Sequence, residues 1–106
     1  STITACGNDF NFNKVFSRSL EALGQKGDLL LIISTSGMSK NIIEVLRTSK
    51  KMKIKSIGFL GKNGGKAKKL VNHKIIVPHS NVARIQETHI FLGHVILNCV
   101  EKKLFP

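Results

Sequence analysis

The stretch Asp28-Leu29-Leu30-Leu31-Ile32-Ile33-Ser34-Thr35-Ser36-Gly37-Met38-Ser39 decides the fold. Its first half is an unbroken β-rich apolar run of strand length with Gly27 before it. That run predicts a strand over residues 28–33, central in its sheet and buried on both faces. The second half gathers the hydroxyls of Ser34, Thr35, Ser36 and Ser39 around Gly37, between that strand and a helical periodicity. Hydroxyl donors, free backbone N–H groups and the positive end of a helix dipole together bind an anion, phosphate above all. Gly37 is read as the residue that lets backbone approach the ligand. A plain turn with a cap would use the same residue types, and the position at the carboxyl end of a buried strand is what favours the anion.

Working outward, Ser39 is the N-cap of a helix whose face is Ile42, Ile43, Val45, Leu46 and Met52, with lysines at its end. Upstream, Phe12, Val15, Phe16, Leu20 and Leu23 recur at helical spacing, so residues 10–23 read as a helix stopped by Gly24 at C′. Residues 2–6 read as a strand. Downstream, Ile54, Ile57, Phe59 and Leu60 predict a strand, the 61–65 segment a turn, residues 66–71 a short basic helix and residues 74–77 a strand closed by Pro78. Residues 82–104 carry the longest helical pattern. Strands alternating with helices predict an α/β fold: a three-layer αβα sandwich with a mainly parallel, flavodoxin-like sheet. Ligands of such sheets sit beyond the carboxyl ends of the strands.

The chain has 106 residues, 17 Lys and Arg against 6 Asp and Glu, a net charge of +11, and 42% hydrophobic residues. The length suits one domain, the composition excludes disorder, and no apolar run approaches the roughly 20 residues of a membrane span. Cys6 and Cys99 form no CxxC pair. With no secretory signal pattern at Ser1, a cytoplasmic location is expected. Because residues 2–6 already read as a strand, residues 1–106 are expected to be a single partial domain whose N-terminal part is missing.

Other motifs are weaker. Gly61, Gly65 and Lys66 suggest a phosphate loop, but three residues separate the glycines and Ala67 follows the lysine, so the Walker pattern fails. Lysines at positions 50–55 and 62–69 permit a nucleic-acid footprint. All 6 aromatics are phenylalanines at positions suggesting core, so a solvated basic face, steering anions inward, is the better account. Of His73, His79, His89 and His94, the last two are five apart and share no metal-binding helix face. Gln86 and His94 fall about 80° apart around a helix and roughly 12 Å apart along it, which is awkward for one metal ion. A lone helical histidine is more often a satisfied structural one.

Taken together, the 29–39 segment, Gly7-Asn8-Asp9, Gly61-Lys62-Asn63-Gly64-Gly65-Lys66, Val77-Pro78-His79 and Arg84-Ile85-Gln86-Glu87 resemble the sugar isomerase (SIS) domain family, and within it the phosphoheptose isomerase branch. The resemblance runs along the whole chain and corresponds to the C-terminal half of such enzymes. It implies aldose–ketose isomerisation of sedoheptulose 7-phosphate to D-glycero-D-manno-heptose 7-phosphate through an enediol, feeding ADP-heptose and lipopolysaccharide core synthesis. By position, Ser34, Thr35, Ser36 and Ser39 would hold phosphate, Asn8 and Asp9 the sugar, Gln86 substrate or zinc, and His94 would transfer protons or bind zinc. A homotetramer with active sites between subunits is implied. Two residues depart from the pattern, Met38 for an Asn and Ala83 for an Asp, and the Glu and His of an earlier helix have no counterpart. The same resemblance admits an alternative, a non-catalytic SIS scaffold that binds the DNA replication initiator protein.

Overall fold

A computed structural model describes residues 12–106. The strand expected over residues 2–6, and Asn8 and Asp9 with it, lie outside the described residues. A 3₁₀ turn, Phe12–Lys14, leads into α1 (Val15–Leu23), followed by β1 (Leu29–Ser34), α2 (Lys40–Lys51) and β2 (Lys55–Gly61). A second 3₁₀ turn, Ala67–Lys69, precedes β3 (His73–Val77) and α3 (Val82–Leu104).

The three strands are parallel in the order β1-β2-β3, with Ile33 opposite Phe59 and Phe59 opposite Ile75. Residues paired across a parallel ladder point to the same side of the sheet. Leu30, Ile32, Leu60 and Ile76 therefore face the layer of α1 and α2, where Ile43, Val45 and Leu46 complete the core. Leu31, Ile33 and Phe59 face the opposite layer, which is α3. Sequence alternation thus produced the three-layer αβα arrangement that was expected.

The burial of β1 within it needed correcting. Among the described residues β1 is an edge strand, and β2 is the central one. Leu31 and Ile33 remain 48% and 55% exposed, so only one face of β1 is buried. The reason is the path of α3, which packs on β2 through Ile85 and His89 and leaves β1 largely uncovered. The apolar side chains Ile90, Leu97 and Leu104 of α3 are likewise exposed. Of the described phenylalanines only Phe59 is in the core, and Phe12, Phe16, Phe91 and Phe105 lie at the surface, against the sequence reading.

Two local stops also differ from expectation. Gly24 ends α1 with an extended backbone, φ −78°, so it is no left-handed C′ glycine. A side chain there would collide with Ile54 and Leu20. The basic segment after the 61–65 turn forms only the 3₁₀ turn Ala67–Lys69, and Asn72 then ties β2 to β3 by accepting the Ser56 N–H at 2.8 Å.

Candidate functional site: a hydroxyl pocket beside a histidine cleft

At the carboxyl end of β1 the chain turns through residues 34–39 into α2. The turn is held by its own side chains. Ser34 Oγ accepts the Gly37 N–H at 3.0 Å, and Ser36 Oγ accepts the Met38 N–H at 3.2 Å. A hydroxyl that accepts an amide in this way keeps its O–H free to donate outward. Ser39 occupies the N-cap position of α2 without making a side-chain capping bond. Its hydroxyl is therefore uncommitted to the helix. Asn41 Oδ1 accepts the Ile42 N–H at 2.8 Å and the Ser39 carbonyl oxygen accepts the Ile43 N–H at 3.0 Å, so the amides of Lys40 and Asn41 are the ones without an intrahelical acceptor. The first turn has no acidic residue to compete for them.

Ser34, Thr35, Ser36, Ser39, Asn41 and Gln86 line one cavity of about 340 Å³, with Phe16, Ile33 and Ile42 as its apolar walls. No carboxylate lines it among the described residues. Neutral donors at a helix N-terminus in a chain of net charge +11 attract an anion rather than a cation. Thus the structure brings together all four hydroxyl residues singled out in the sequence and adds Gln86 from the far end of the chain.

Gln86 reaches this cavity because of its neighbours on α3. Asn81 caps the helix, its side chain accepting the Ala83 N–H, and Ile85, fully buried, plugs against Gly61. Arg84 and Glu87 pair with each other at 2.8 Å on the solvent side, which leaves Gln86 turned toward the sheet ends.

Gln86 and Ile33 also line a second cavity, about 510 Å³, together with Leu31, Phe59, His89 and His94. Gln86 and His94 both line this cleft although about 80° and roughly 12 Å separate them on the helix, because the cleft runs along α3. His89 is 2% exposed, and its Nε2 lies 2.7 Å from the Leu60 carbonyl oxygen. It is a structural histidine, whereas His94 is exposed at the cleft. A zinc ion takes about four ligands. Gln86 and His94 offer two, and no group of three or more His, Cys, Asp or Glu is placed to hold a metal among the described residues. The residues present do not make a zinc shell by themselves.

Gly37 carries a constraint that the sequence did not reveal. Its φ is +66°, and a Cβ there would strike the Gly64 carbonyl oxygen, so the glycine allows close contact between two loops. Asn41 and Phe16 were not singled out as site residues. The position of Asn41 in the first turn of α2 was the available signal, and nothing local distinguished Phe16 from a core residue.

Comparison with known proteins agrees with this geometry. The SIS domain family matches residues 2–61. The chain is 45% identical over 105 residues to the phosphoheptose isomerase of Sulfurimonas denitrificans, covering 99% of this chain and 54% of that protein. It is 48% identical over 102 residues to that of Campylobacter concisus, covering 96% and 54%. A solved phosphoheptose isomerase from Neisseria gonorrhoeae superimposes with a TM-score of 0.90 at 41% identity, covering 93% of this chain and 56% of that one. The chain thus spans about half the length of the curated relatives it matches. With a parallel sheet, a hydroxyl-lined pocket at its β1 end and a family match over more than half of its residues, the chain belongs to the SIS domain family.

Proposed function

We propose that this chain supplies the phosphate-binding, C-terminal portion of a sugar-phosphate isomerase acting on sedoheptulose 7-phosphate to give D-glycero-D-manno-heptose 7-phosphate. The observation that carries the reading is that two cavities share Gln86 and Ile33 as wall residues. A hydroxyl-lined pocket of about 340 Å³ lies on one side of them, and the cleft that His94 lines lies on the other. A phosphorylated sugar chain placed across that boundary has its anionic end on Ser36 and Ser39 and its carbons beside Gln86 and His94.

Aldose–ketose isomerisation moves a proton between adjacent carbons through an enediol and needs a positioned base close to both. Ser34, Thr35, Ser36 and Ser39 fix the phosphate, Gln86 orients the sugar hydroxyls, and the His94 imidazole takes and returns a proton. Asn8 and Asp9 contact the sugar in this proposal. The partner acid or base belongs to polypeptide beyond the described residues. Zinc has no step in this proposal: Gln86 and His94, about 12 Å apart along one helix, do not make a zinc shell from this chain alone. We place the protein in the cytoplasm, in the synthesis of ADP-heptose and lipopolysaccharide core, and as a homotetramer. The exposed apolar side chains of β1 and α3 support association, since contiguous apolar patches mark contact surfaces.

The deciding experiment is turnover of sedoheptulose 7-phosphate by the polypeptide that carries this sequence, with added zinc, against its His94→Ala form. Turnover that drops on substitution supports the isomerase. Absence of turnover, with tight binding to a replication initiator protein, would replace it by the scaffold reading.

A further inference from the structure

The Gly61-Lys62-Asn63-Gly64-Gly65-Lys66 segment fails as a phosphate loop by sequence, yet the structure lays it directly against the loop that does line the anion pocket. Four contacts join them. The Ala67 N–H donates to the Gly37 carbonyl oxygen at 3.0 Å, and the Lys66 N–H donates to Met38 Sδ at 3.3 Å. Gly37 sits so close to Gly64 that a Cβ on Gly37 would overlap its carbonyl oxygen. A Cβ on Gly65 would overlap the Ser36 carbonyl oxygen in the same way. Both Gly37, at φ +66°, and Gly65, at φ +56°, hold backbone conformations that side chains disfavour.

We infer that the 61–67 turn is the mould that sets the anion geometry of residues 34–39, with Gly65 and Met38 as positioning residues for phosphate. The inference rests on the anion reading of that pocket and adds the residues that shape it. The turn braces itself first. Gly64 N–H bonds to the Gly61 carbonyl oxygen at 2.9 Å, and Gly65 N–H bonds to Asn63 Oδ1 at 2.9 Å. Gly61 in turn is hemmed in by Ile85 and the Thr35 carbonyl oxygen. The brace then fixes the backbone of Ser36, Gly37 and Met38, and with it the Ser36 hydroxyl, whose acceptor side is held by the Met38 N–H. A shift of a few tenths of an ångström in this backbone re-aims the donor at the anion, to which hydrogen bonding is strongly geometry-dependent.

The thioether gives a test that separates positioning from folding. Met38→Gln retains length and offers an oxygen to the Lys66 N–H, whereas Met38→Leu retains size and offers no acceptor. The measurement is binding of inorganic phosphate to the whole chain, by titration calorimetry, with thermal unfolding of each variant alongside. Met38→Leu and Gly65→Ala are expected to weaken phosphate about tenfold, the loss of one well-aimed charge-assisted bond. Met38→Gln is expected to restore it. In turnover assays of the polypeptide that carries this sequence, KM should rise with kcat little changed, because the mould touches the phosphate end and not the reacting carbons. Phosphate affinity equal to that of the unsubstituted chain in a cooperatively folded Met38→Leu form would overturn the inference, and so would failure of Met38→Gln to differ from it. If Gly65→Ala does not fold, the Met38 pair decides. Phosphate binding that responds as expected in a protein without isomerase turnover would uphold the mould and sink the isomerase. No phosphate binding by the unsubstituted chain would remove both.

Discussion

His89 Nε2 stands 2.7 Å from the carbonyl oxygen of Leu60, so the imidazole of α3 is latched to the last turn of backbone in β2. The bond requires the proton to be on Nε2, since a carbonyl oxygen only accepts. The other ring nitrogen, Nδ1, is buried without a partner among the described residues, and the ring lies 5.9 Å from that of Phe59. One residue thereby sets where the 23-residue helix α3 meets the sheet, and with it the places of Gln86 and His94.

Replacing His89 by Leu removes the hydrogen bond that the buried imidazole makes to the Leu60 carbonyl oxygen. The expected cost is about 1–3 kcal/mol of unfolding free energy. His89→Gln, whose amide can donate to the same oxygen, is expected to recover part of it. Urea denaturation of the three forms checks the order.

Ser36→Ala and Ser39→Ala should part company. Ser36 Oγ accepts the Met38 N–H, so its loss weakens sugar-phosphate binding by roughly 1–3 kcal/mol and also loosens the loop. Ser39 makes no capping bond, so its removal should weaken binding while changing stability by no more than about 0.5 kcal/mol. Calorimetric binding beside thermal unfolding separates the two.

Asn72→Ala removes the acceptor of the Ser56 N–H at the start of β2. A loss of about 1–2 kcal/mol is expected. Since Asn72 is far along the sheet from the 34–39 loop, phosphate affinity in the folded variant should not move.

Leu97 is 68% exposed on α3, at the cleft that also holds Leu31 and Ile33. If this apolar surface joins subunits, as proposed, Leu97→Glu should lower the mass seen by light scattering at micromolar concentration. It should leave monomer stability nearly unchanged, because an exposed leucine contributes little to the fold by itself. An unchanged mass would remove the exposed face from any account of assembly.

Much of this was legible in the sequence because it is local. The apolar run at residues 29–33, the helical spacing of Ile42, Ile43, Val45 and Leu46, and the hydroxyl cluster of residues 34–39 each declare an element or a junction within a few residues. The periods of strand and helix then imply the order of layers. The failures have a common origin. Leu31 and Ile33 were read as buried because their residue types suit burial, yet no nearby residue reveals whether a second layer covers them. Phe12, Phe16, Phe91 and Phe105 were assigned to a core for the same reason.

The sequence alone determined which backbone segments form most of the strands and helices, that the strands run parallel, and that a cluster of hydroxyls sits at the end of the apolar strand over residues 29–34. Tertiary structure decided which faces are covered, that Gly37 meets Gly64, and that Gln86 and His94 line one cleft despite their separation on α3. Local spacing fixes which side chains lie on one side of an element. What that side meets is set by packing between residues distant in the chain, and short-range periodicity carries no record of it.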